Sequence, residues 1–204
     1  PVRGQPLYRA LVYLPTIVPV VVGGYLWRWL MNARYGAISQ VLGFLRLPQP
    51  LWLEDPMWTR PAVIMMSMWT VGGVMLIYLA GLKDVPPELL EAASLDGANA
   101  WQRFRHVTWP TLSPITLFQV IVQLIAYLQI FTQPYLLTQS RLNSASSGPD
   151  DTLLSYSMYL FQNAFGNLKM GYASAMAWVL FVITMIITAI TLLSSRRWVH
   201  YGSV

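Results

Sequence analysis

The sequence predicts an all-α protein, a bundle of membrane-spanning helices, from its composition, its long apolar segments and one polar insertion between them. Only 10% of the 204 residues are charged and 55% are hydrophobic, whereas a soluble domain carries about 25% charged residues. The mean hydropathy is +0.48. The absence of cysteine excludes disulfides, thiolate metal sites and cysteine nucleophiles. The net charge of +5 is dispersed along the chain, which argues against a nucleic-acid patch.

Four charge-free segments are long enough to span a membrane, because a spanning helix needs about 20 mostly apolar residues. They are Ala10–Trp27, Pro61–Leu82, Val107–Ser140 and Met170–Ser195. Pro15 and Pro19 lie inside the first segment, which we interpret as one kinked packing helix, with a hinge as the alternative. The pair Gly72–Gly73 in the second segment indicates close helix packing.

Charge and symmetry do not orient this bundle. Lysine and arginine divide almost evenly between its two sides, so the positive-inside rule gives no orientation. No repeat relates the four segments, and an inverted-repeat secondary transporter is therefore unsupported. Tryptophans near the segment ends are interpreted as interface anchors, namely Trp27, Trp29, Trp109 and Trp198. The chain begins at Pro1 rather than at methionine, and we expect N-terminal sequence to be missing.

Residues 83–110 form a polar insertion between the second and third segments, and its first half has the pattern of a short helix. Pro86–Pro87 suits a helix start. An apolar face is predicted at Leu89, Ala92 and Ala93. Asp96 and Gly97 end this helix, because glycine tolerates the left-handed conformation.

The second half of the insertion predicts another short helix. Asn99 is its cap and Gln102 the partner in a capping box, while Pro110 marks its end and the entry to the third segment. We expect two short helices at an angle, with one apolar face docked on the spans and the Gly97 tip in water. An interfacial connector without a partner is the alternative interpretation.

The spacing of this insertion resembles the EAA signature of ABC importer permeases, EAA-x3-G-x9-I-x-L-P. The matching positions are Glu91, Ala92, Ala93, Gly97 and Pro110. The chain departs from the signature at Val107 and Trp109, which are apolar replacements that keep the spacing. The flanking sequences "AGLKDVPPELLEAASLDGANAWQRF" and "GYASAMAWV" resemble the carbohydrate-uptake branch, of the maltose and glycerol-3-phosphate type. The resemblance runs from about Arg9 to Ser195.

The resemblance implies a single permease domain over residues 1–204, with four visible spans of a six-span core. It implies that residues 83–110 are a cytoplasmic coupling loop that inserts into an ATP-binding subunit. Its expected contact residues are the matched positions together with Asp96. Pro1 and the C-terminus would also be cytoplasmic, in the inner membrane of a prokaryote. The implied partners are two ATP-binding subunits, a second and different permease, and an extracytoplasmic solute-binding protein.

Uncharged polar side chains in the spans predict a solute path. In the third segment, Gln119, Gln123, Tyr127, Gln129 and Gln133 fall on one face at 100° per residue. Such a face can donate and accept hydrogen bonds toward sugar hydroxyls, and Trp69 in the second segment can stack on a sugar ring. The alternative for the glutamines is hydrogen bonding between helices, and the alternative for Trp69 is a lipid-facing or packed aromatic side chain. Within the face, Gln123 and Tyr127 are the residues predicted nearest the midplane.

These patterns predict a transporter subunit rather than an enzyme. The chain has no G-x4-G-K-[ST] phosphate loop, so ATP hydrolysis is expected on a partner. Neither a catalytic set nor a metal site is predicted, because His106 and His200 are isolated. A stand-alone carrier or channel for a neutral polar solute is the alternative, and a permease for a phosphorylated polyol or an oligopeptide is another. The identity of the solute does not follow from the sequence.

Overall fold

The computed structural model describes residues 4–138 and 147–200, in which every regular element is helical. The α-helices are α1 Gln5–Ile17, α2 Val20–Leu30, α3 Ala37–Phe44, α4 Pro56–Trp69, α5 Gly72–Lys83, α6 Pro87–Leu95, α7 Ala100–Arg103, α8 Trp109–Leu128, α9 Thr132–Thr138, α10 Tyr156–Phe161 and α11 Met170–Ser195. Two π-helical turns, Phe104–Thr108 and Gln162–Gly166, and a 3-10 turn, Pro149–Asp151, complete them. The all-α prediction is confirmed.

Length and composition identify the elements that could cross a membrane. Among the described residues, two helices are each long and apolar enough to cross a membrane: α11, and the helix Ala100–Leu128 that runs through α7 and α8. The pairs α1 with α2 and α4 with α5 are long and apolar enough only when both helices of the pair are counted together across a short break. The bounds of α11 coincide with the predicted fourth segment. The number of spans itself stays a prediction.

The chain groups into two compact units. Unit 1 is Pro1–Gly72 with Leu128–Phe181, and unit 2 is Gly73–Tyr127 with Val182–Val204. The single permease domain over residues 1–204 therefore stays a prediction.

The core of unit 1 is rich in tryptophan and methionine. Its buried members are Trp27, Met31, Trp52, Ala62, Met66 and Leu137. Trp27 is only 9% exposed and meets Trp69 edge to face, with ring centroids 5.9 Å apart. The interpretation of Trp27 as an interface anchor is therefore wrong: the side chain is part of the packing between α2, α4 and α9. Glycine allows this close approach, since a Cβ at Gly24 would collide with Leu136.

The first predicted span is not one kinked helix. α1 ends at Ile17, α2 begins at Val20, and their axes differ by 101°. Pro19 stands at the N-cap of α2 with φ −54° and ψ 135°. Because proline has no N–H and disfavours the helical conformation of the residue before it, Val18 adopts an extended conformation, with φ −71° and ψ 125°. The result is a sharp corner.

The third predicted span is also interrupted. α8 ends at Leu128, and α9 begins at Thr132 after a break at residues 129–131. The assignment of five polar side chains to one helical face was therefore wrong for Gln129 and Gln133, which lie beyond the end of α8. The predicted close packing at Gly72 is confirmed, because a Cβ there would collide with the backbone carbonyl of Val12.

Unit 2 packs α5 against the first half of α8. A Cβ at Gly81 would collide with Ile115, and the Tyr78 hydroxyl donates to Thr116 Oγ1 at 3.2 Å. The backbone N–H of His200 donates to Oγ of Ser113 at 2.9 Å. Ser113 is fully buried, so the last described residue contacts the start of α8.

Candidate functional site

The first helix of the polar insertion, α6, has well-defined ends. Pro87 is its first residue, Pro86 precedes it, and Glu88 occupies the first turn, where the helix dipole favours negative charge. At the other end Gly97 has φ +82°. Its N–H donates to the Ser94 carbonyl at 3.1 Å, and the N–H of Ala98 donates to the Ala93 carbonyl at 2.9 Å. These two bonds form a Schellman motif, so the predicted stop at Gly97 is confirmed.

The second helix begins with the predicted capping box. Oδ1 of Asn99 accepts from the Gln102 N–H at 2.9 Å, and Oε1 of Gln102 accepts from the Asn99 N–H at 2.8 Å. Two donors that a helix start would otherwise leave unpaired are thereby satisfied. The turn between α6 and α7 is therefore ordered from both sides.

A side-chain bridge, which we did not predict from the sequence, joins the two helices. Nη1 of Arg103 donates to Oγ of Ser94 at 2.8 Å, and this hydroxyl donates in turn to the Leu90 carbonyl at 2.7 Å. The two residues flank the Gly97 turn, which is the only hint that the sequence offers. The bridge links α6 to α7 independently of the backbone turn.

We predicted that the second helix ends at Pro110, and this prediction is wrong. α7 continues through the π-helical turn Phe104–Thr108 into α8, giving one helix over Ala100–Leu128. In this turn the N–H of Trp109 donates to the Phe104 carbonyl, five residues earlier. Pro110 lies in the first turn of α8 and has no N–H to lose. The wider turn accommodates this proline, and the insertion is continuous with a long helix.

The apolar face of the insertion is not buried, which corrects the expectation that it docks on the spans. Leu89 is 51% exposed, Leu95 is 89% exposed and Trp101 is 66% exposed. Trp101 stacks on Phe104, with centroids 5.6 Å apart. The predicted contact residues Glu91, Ala92, Asp96 and Gly97 are exposed, and Ala93 and Pro110 are partly buried. An exposed apolar surface rimmed by polar residues is typical of an interaction site.

The predicted polar face of α8 persists over three residues. Gln119 is buried, Gln123 is half-buried and Tyr127 is 53% exposed. They follow at intervals of four residues inside one helix, so they share a face.

Trp69, the residue predicted to stack on a sugar ring, lines a cleft in unit 1 with a volume of about 430 Å³. The cleft lies where α1 breaks into α2 and where α4 ends. Its lining is Thr16, Ile17, Val18, Pro19, Val20, Gly23, Met66, Ser67, Trp69, Thr70 and Gln133. The structure thus brings Gln133 beside Trp69, which the continuous-helix prediction could not anticipate.

The cleft offers polar groups without charge. The hydroxyls of Thr16, Ser67 and Thr70 donate to carbonyls three or four residues earlier, at 2.6, 2.9 and 3.0 Å. Their lone pairs remain available as acceptors. The half-buried amide of Gln133 can both donate and accept. With the indole of Trp69, these groups match the chemistry of a neutral polyhydroxylated ligand. Among the described residues, no group of three or more histidine or acidic side chains could hold a metal ion.

Comparison with known proteins is consistent with this architecture. Residues 2–200 match the model of the family described as "Binding-protein-dependent transport system inner membrane component". The chain is 44% identical to the "Probable ABC transporter permease protein YesP" of Bacillus subtilis, over 98% of this chain and 64% of that protein. It is 33% identical to the "Sulfoquinovosyl glycerol transport system permease protein SmoG" of Agrobacterium fabrum, over 90% and 58%.

A third relative is the "Trehalose/maltose transport system permease protein MalF" of Thermococcus litoralis, 30% identical over 95% of this chain and 63% of that protein. A crystal structure of a bacterial ABC transporter involved in the import of the acidic polysaccharide alginate contains a chain of the same fold. Its TM-score is 0.82 at 23% identity, covering 96% of this chain and 68% of that chain.

The chain thus spans less than two thirds of the length of these three curated relatives. The family model, in contrast, covers almost all of it. The predicted resemblance to ABC permeases is confirmed: the chain belongs to the family of binding-protein-dependent transport system inner membrane components.

Proposed function

We propose that this chain is the membrane-spanning subunit of an ATP-driven importer for a sugar-like solute. We further propose that residues 83–110 couple it to an ATP-hydrolysing partner. The observation that carries the proposal is the insertion itself, which is capped at both helices, exposed at its apolar tip and continuous with α8. Such an element can receive motion from a soluble partner and pass it to the membrane.

Rigidity is the physical requirement for coupling. When two ATP-binding subunits close, their rotation reaches the membrane only through an element that moves as one body. The Schellman motif, the capping box and the Ser94–Arg103 bridge hold α6 and α7 together. The π-helical turn then passes the motion to α8 without an intervening flexible loop.

The proposed partner surface is the exposed face of the insertion. Leu89, Leu95 and Trp101 offer apolar area for a groove. Glu91 and Asp96 offer carboxylates for basic groups on its walls. Gly97 has no atom within 4 Å of a Cβ position, so the partner backbone can approach it closely.

The assembly that we propose contains this chain, a second and different permease, two ATP-binding subunits and an extracytoplasmic solute-binding protein. The insertion and the C-terminus face the cytoplasm of a prokaryote, and the chain lies in its inner membrane. ATP is hydrolysed on the partner subunits, and this chain contributes no catalytic residue.

The solute contacts that we propose are neutral polar groups, considered separately in each unit. Unit 1 offers the cleft of Trp69 and Gln133, and unit 2 offers the α8 face of Gln119, Gln123 and Tyr127. Amides and hydroxyls exchange hydrogen bonds with a sugar as it moves, and a tryptophan face binds its C–H surface. The names of two relatives, which specify sulfoquinovosyl glycerol and trehalose/maltose, support a sugar-like solute.

The test is co-purification of the full-length protein with its partner permease and ATP-binding subunits. Glu91→Lys and Leu95→Asp alter the exposed face of α6, whereas Lys169→Glu reverses an exposed charge outside residues 83–110. We expect the wild type and Lys169→Glu to retain the ATP-binding subunits, and the other two variants to lose them. If all variants retain them with unchanged transport, the insertion is not the coupling element. A stand-alone carrier would then be the better interpretation.

A further inference from the structure

A polar recess of about 620 Å³ lies in unit 1, apart from the residues that line the Trp69 cleft. It is lined by Tyr25, Arg28, Trp29, Asn32, Arg34, Tyr35 and Glu54. The first three come from the last turns of α2, the next three from the turn that follows it, and Glu54 from the segment before α4. Its size suits a ligand of one or two sugar rings.

The turn that carries Arg34 and Tyr35 is held in place before any ligand arrives. Oδ1 of Asn32 accepts from the backbone N–H of Arg34 at 2.9 Å and from that of Tyr35 at 3.2 Å. The Asn32 carbonyl accepts from the Gly36 N–H at 2.9 Å. A Cβ at Gly36 would collide with this carbonyl, so the turn is closely packed. Ligand binding there therefore loses little conformational entropy of the turn.

The charges of the recess favour an anion with one negative charge. Arg28 and Arg34 supply two guanidinium groups and Glu54 supplies one carboxylate. Within residues 4–138 and 147–200, neither guanidinium forms an ion pair or a side-chain hydrogen bond. A guanidinium fork matches a carboxylate with two parallel hydrogen bonds. Glu54 would repel a densely charged anion but can accept hydrogen bonds from neutral hydroxyls.

The aromatic groups of the recess add a preference for a ring. Tyr25, Trp29 and Tyr35 are each about half exposed, and their faces can stack on the C–H surface of a sugar. A ligand that binds the arginines, the glutamate and the aromatic rings together carries a carboxylate, several hydroxyls and a saturated ring. A uronic acid has this combination.

We propose that the recess binds the acidic sugar units of the imported solute, with Arg28 and Arg34 on the carboxylate and Glu54 on the hydroxyls. This inference rests on the proposed function as a sugar importer and specifies its substrate class. The two arginines lie at the end of α2 and just beyond it, so anion binding there requires no charge inside the four predicted spans.

The test is equilibrium binding to the full-length permease complex in phosphatidylcholine nanodiscs. The probes are glucuronate, galacturonate, mannuronate and guluronate, each compared with its neutral hexose. We expect at least one uronate to bind more tightly than its hexose. Arg28→Gln and Arg34→Gln should each weaken that uronate about tenfold, while Arg46→Gln, outside the recess, leaves it unchanged.

Three outcomes overturn the proposal. One is that no uronate is preferred over its hexose, and another is that the preference survives both arginine substitutions. The third outcome is that the recess binds a lipid headgroup. It would be seen in phosphatidylglycerol nanodiscs if retention of that lipid depends on Arg28 and Arg34 while uronates do not bind. Association of the ATP-binding subunits is measured on the same samples. Loss of uronate binding with retained association refutes only this inference, whereas loss of association in the wild type refutes the proposed function.

Discussion

Arg103 and Ser94 are joined across the Gly97 turn by a hydrogen bond of 2.8 Å from Nη1 to Oγ. The bond connects α6, which carries Glu91, to α7, which is continuous with the long helix α8. A backbone turn alone permits hinge motion, whereas a second link between the helices opposes it. We therefore expect the pair to keep α6 and α7 in a fixed arrangement when a partner subunit moves the insertion.

Removing this link should loosen the insertion without unfolding the chain. We expect Ser94→Ala and Arg103→Gln each to cost about 0.5–1.5 kcal/mol locally. Amide hydrogen exchange over residues 94–104 should become faster, and transport-linked ATPase activity should fall. Because the two residues share one bond, the double variant should be no worse than either single variant. Fully additive effects in the double variant would show that the pair does not act as a unit.

Gly97 tests the turn itself. Its φ of +82° disfavours every L side chain, although a Cβ there would meet nothing within 4 Å. We expect Gly97→Ala to destabilise the turn by about 1–2 kcal/mol, with Gly97→Asn milder, as measured by hydrogen exchange at Ala98. The matched control is Gly171→Ala. It also meets open space, but inside α11, and it should be neutral or slightly stabilising. Equal effects of the two alanine variants would contradict a conformational role for Gly97.

Trp69 tests the cleft of unit 1. We expect Trp69→Ala to raise the transport KM about tenfold through loss of an aromatic face. Trp69→Phe should lie between it and the wild type. Trp178→Ala removes a tryptophan that is 69% exposed on α11 and serves as the control. Basal ATPase activity of the complex reports folding, because Trp69 also packs on Trp27. An unchanged KM with intact basal activity would remove Trp69 from the solute path.

Gly72 tests the close packing inside unit 1. A Cβ there would lie 2.8 Å from the Tyr13 Cα, and still nearer to the backbone carbonyl of Val12. Backbone atoms cannot move aside as a flexible side chain can, so we expect Gly72→Ala to cost about 1–3 kcal/mol. The measurement is the midpoint of thermal unfolding in detergent, with Gly171→Ala as the reference. A midpoint equal to that of the reference would mean that α1 can shift to accommodate the methyl group.

The sequence by itself determined the features that depend on neighbours along the chain. The bounds of α11 follow from an uninterrupted apolar segment, because a helix satisfies all of its backbone hydrogen bonds internally. The stop at Gly97 and the capping box of Asn99 and Gln102 follow from turn and cap chemistry within a few residues. The EAA spacing was visible for the same reason, and it led to the correct family.

Only the tertiary structure decided the features that join distant segments. The 101° corner before α2, the end of α8 at Leu128 and the burial of Trp27 depend on which helices pack together. Gln133 lies beside Trp69 because the chain breaks at residues 129–131, where periodicity carries no signal. Arg28, Arg34 and Glu54 form one recess because the packing of unit 1 brings the segment before α4 to the end of α2. No local pattern contains that information, since contacts between distant residues are selected by shape and burial.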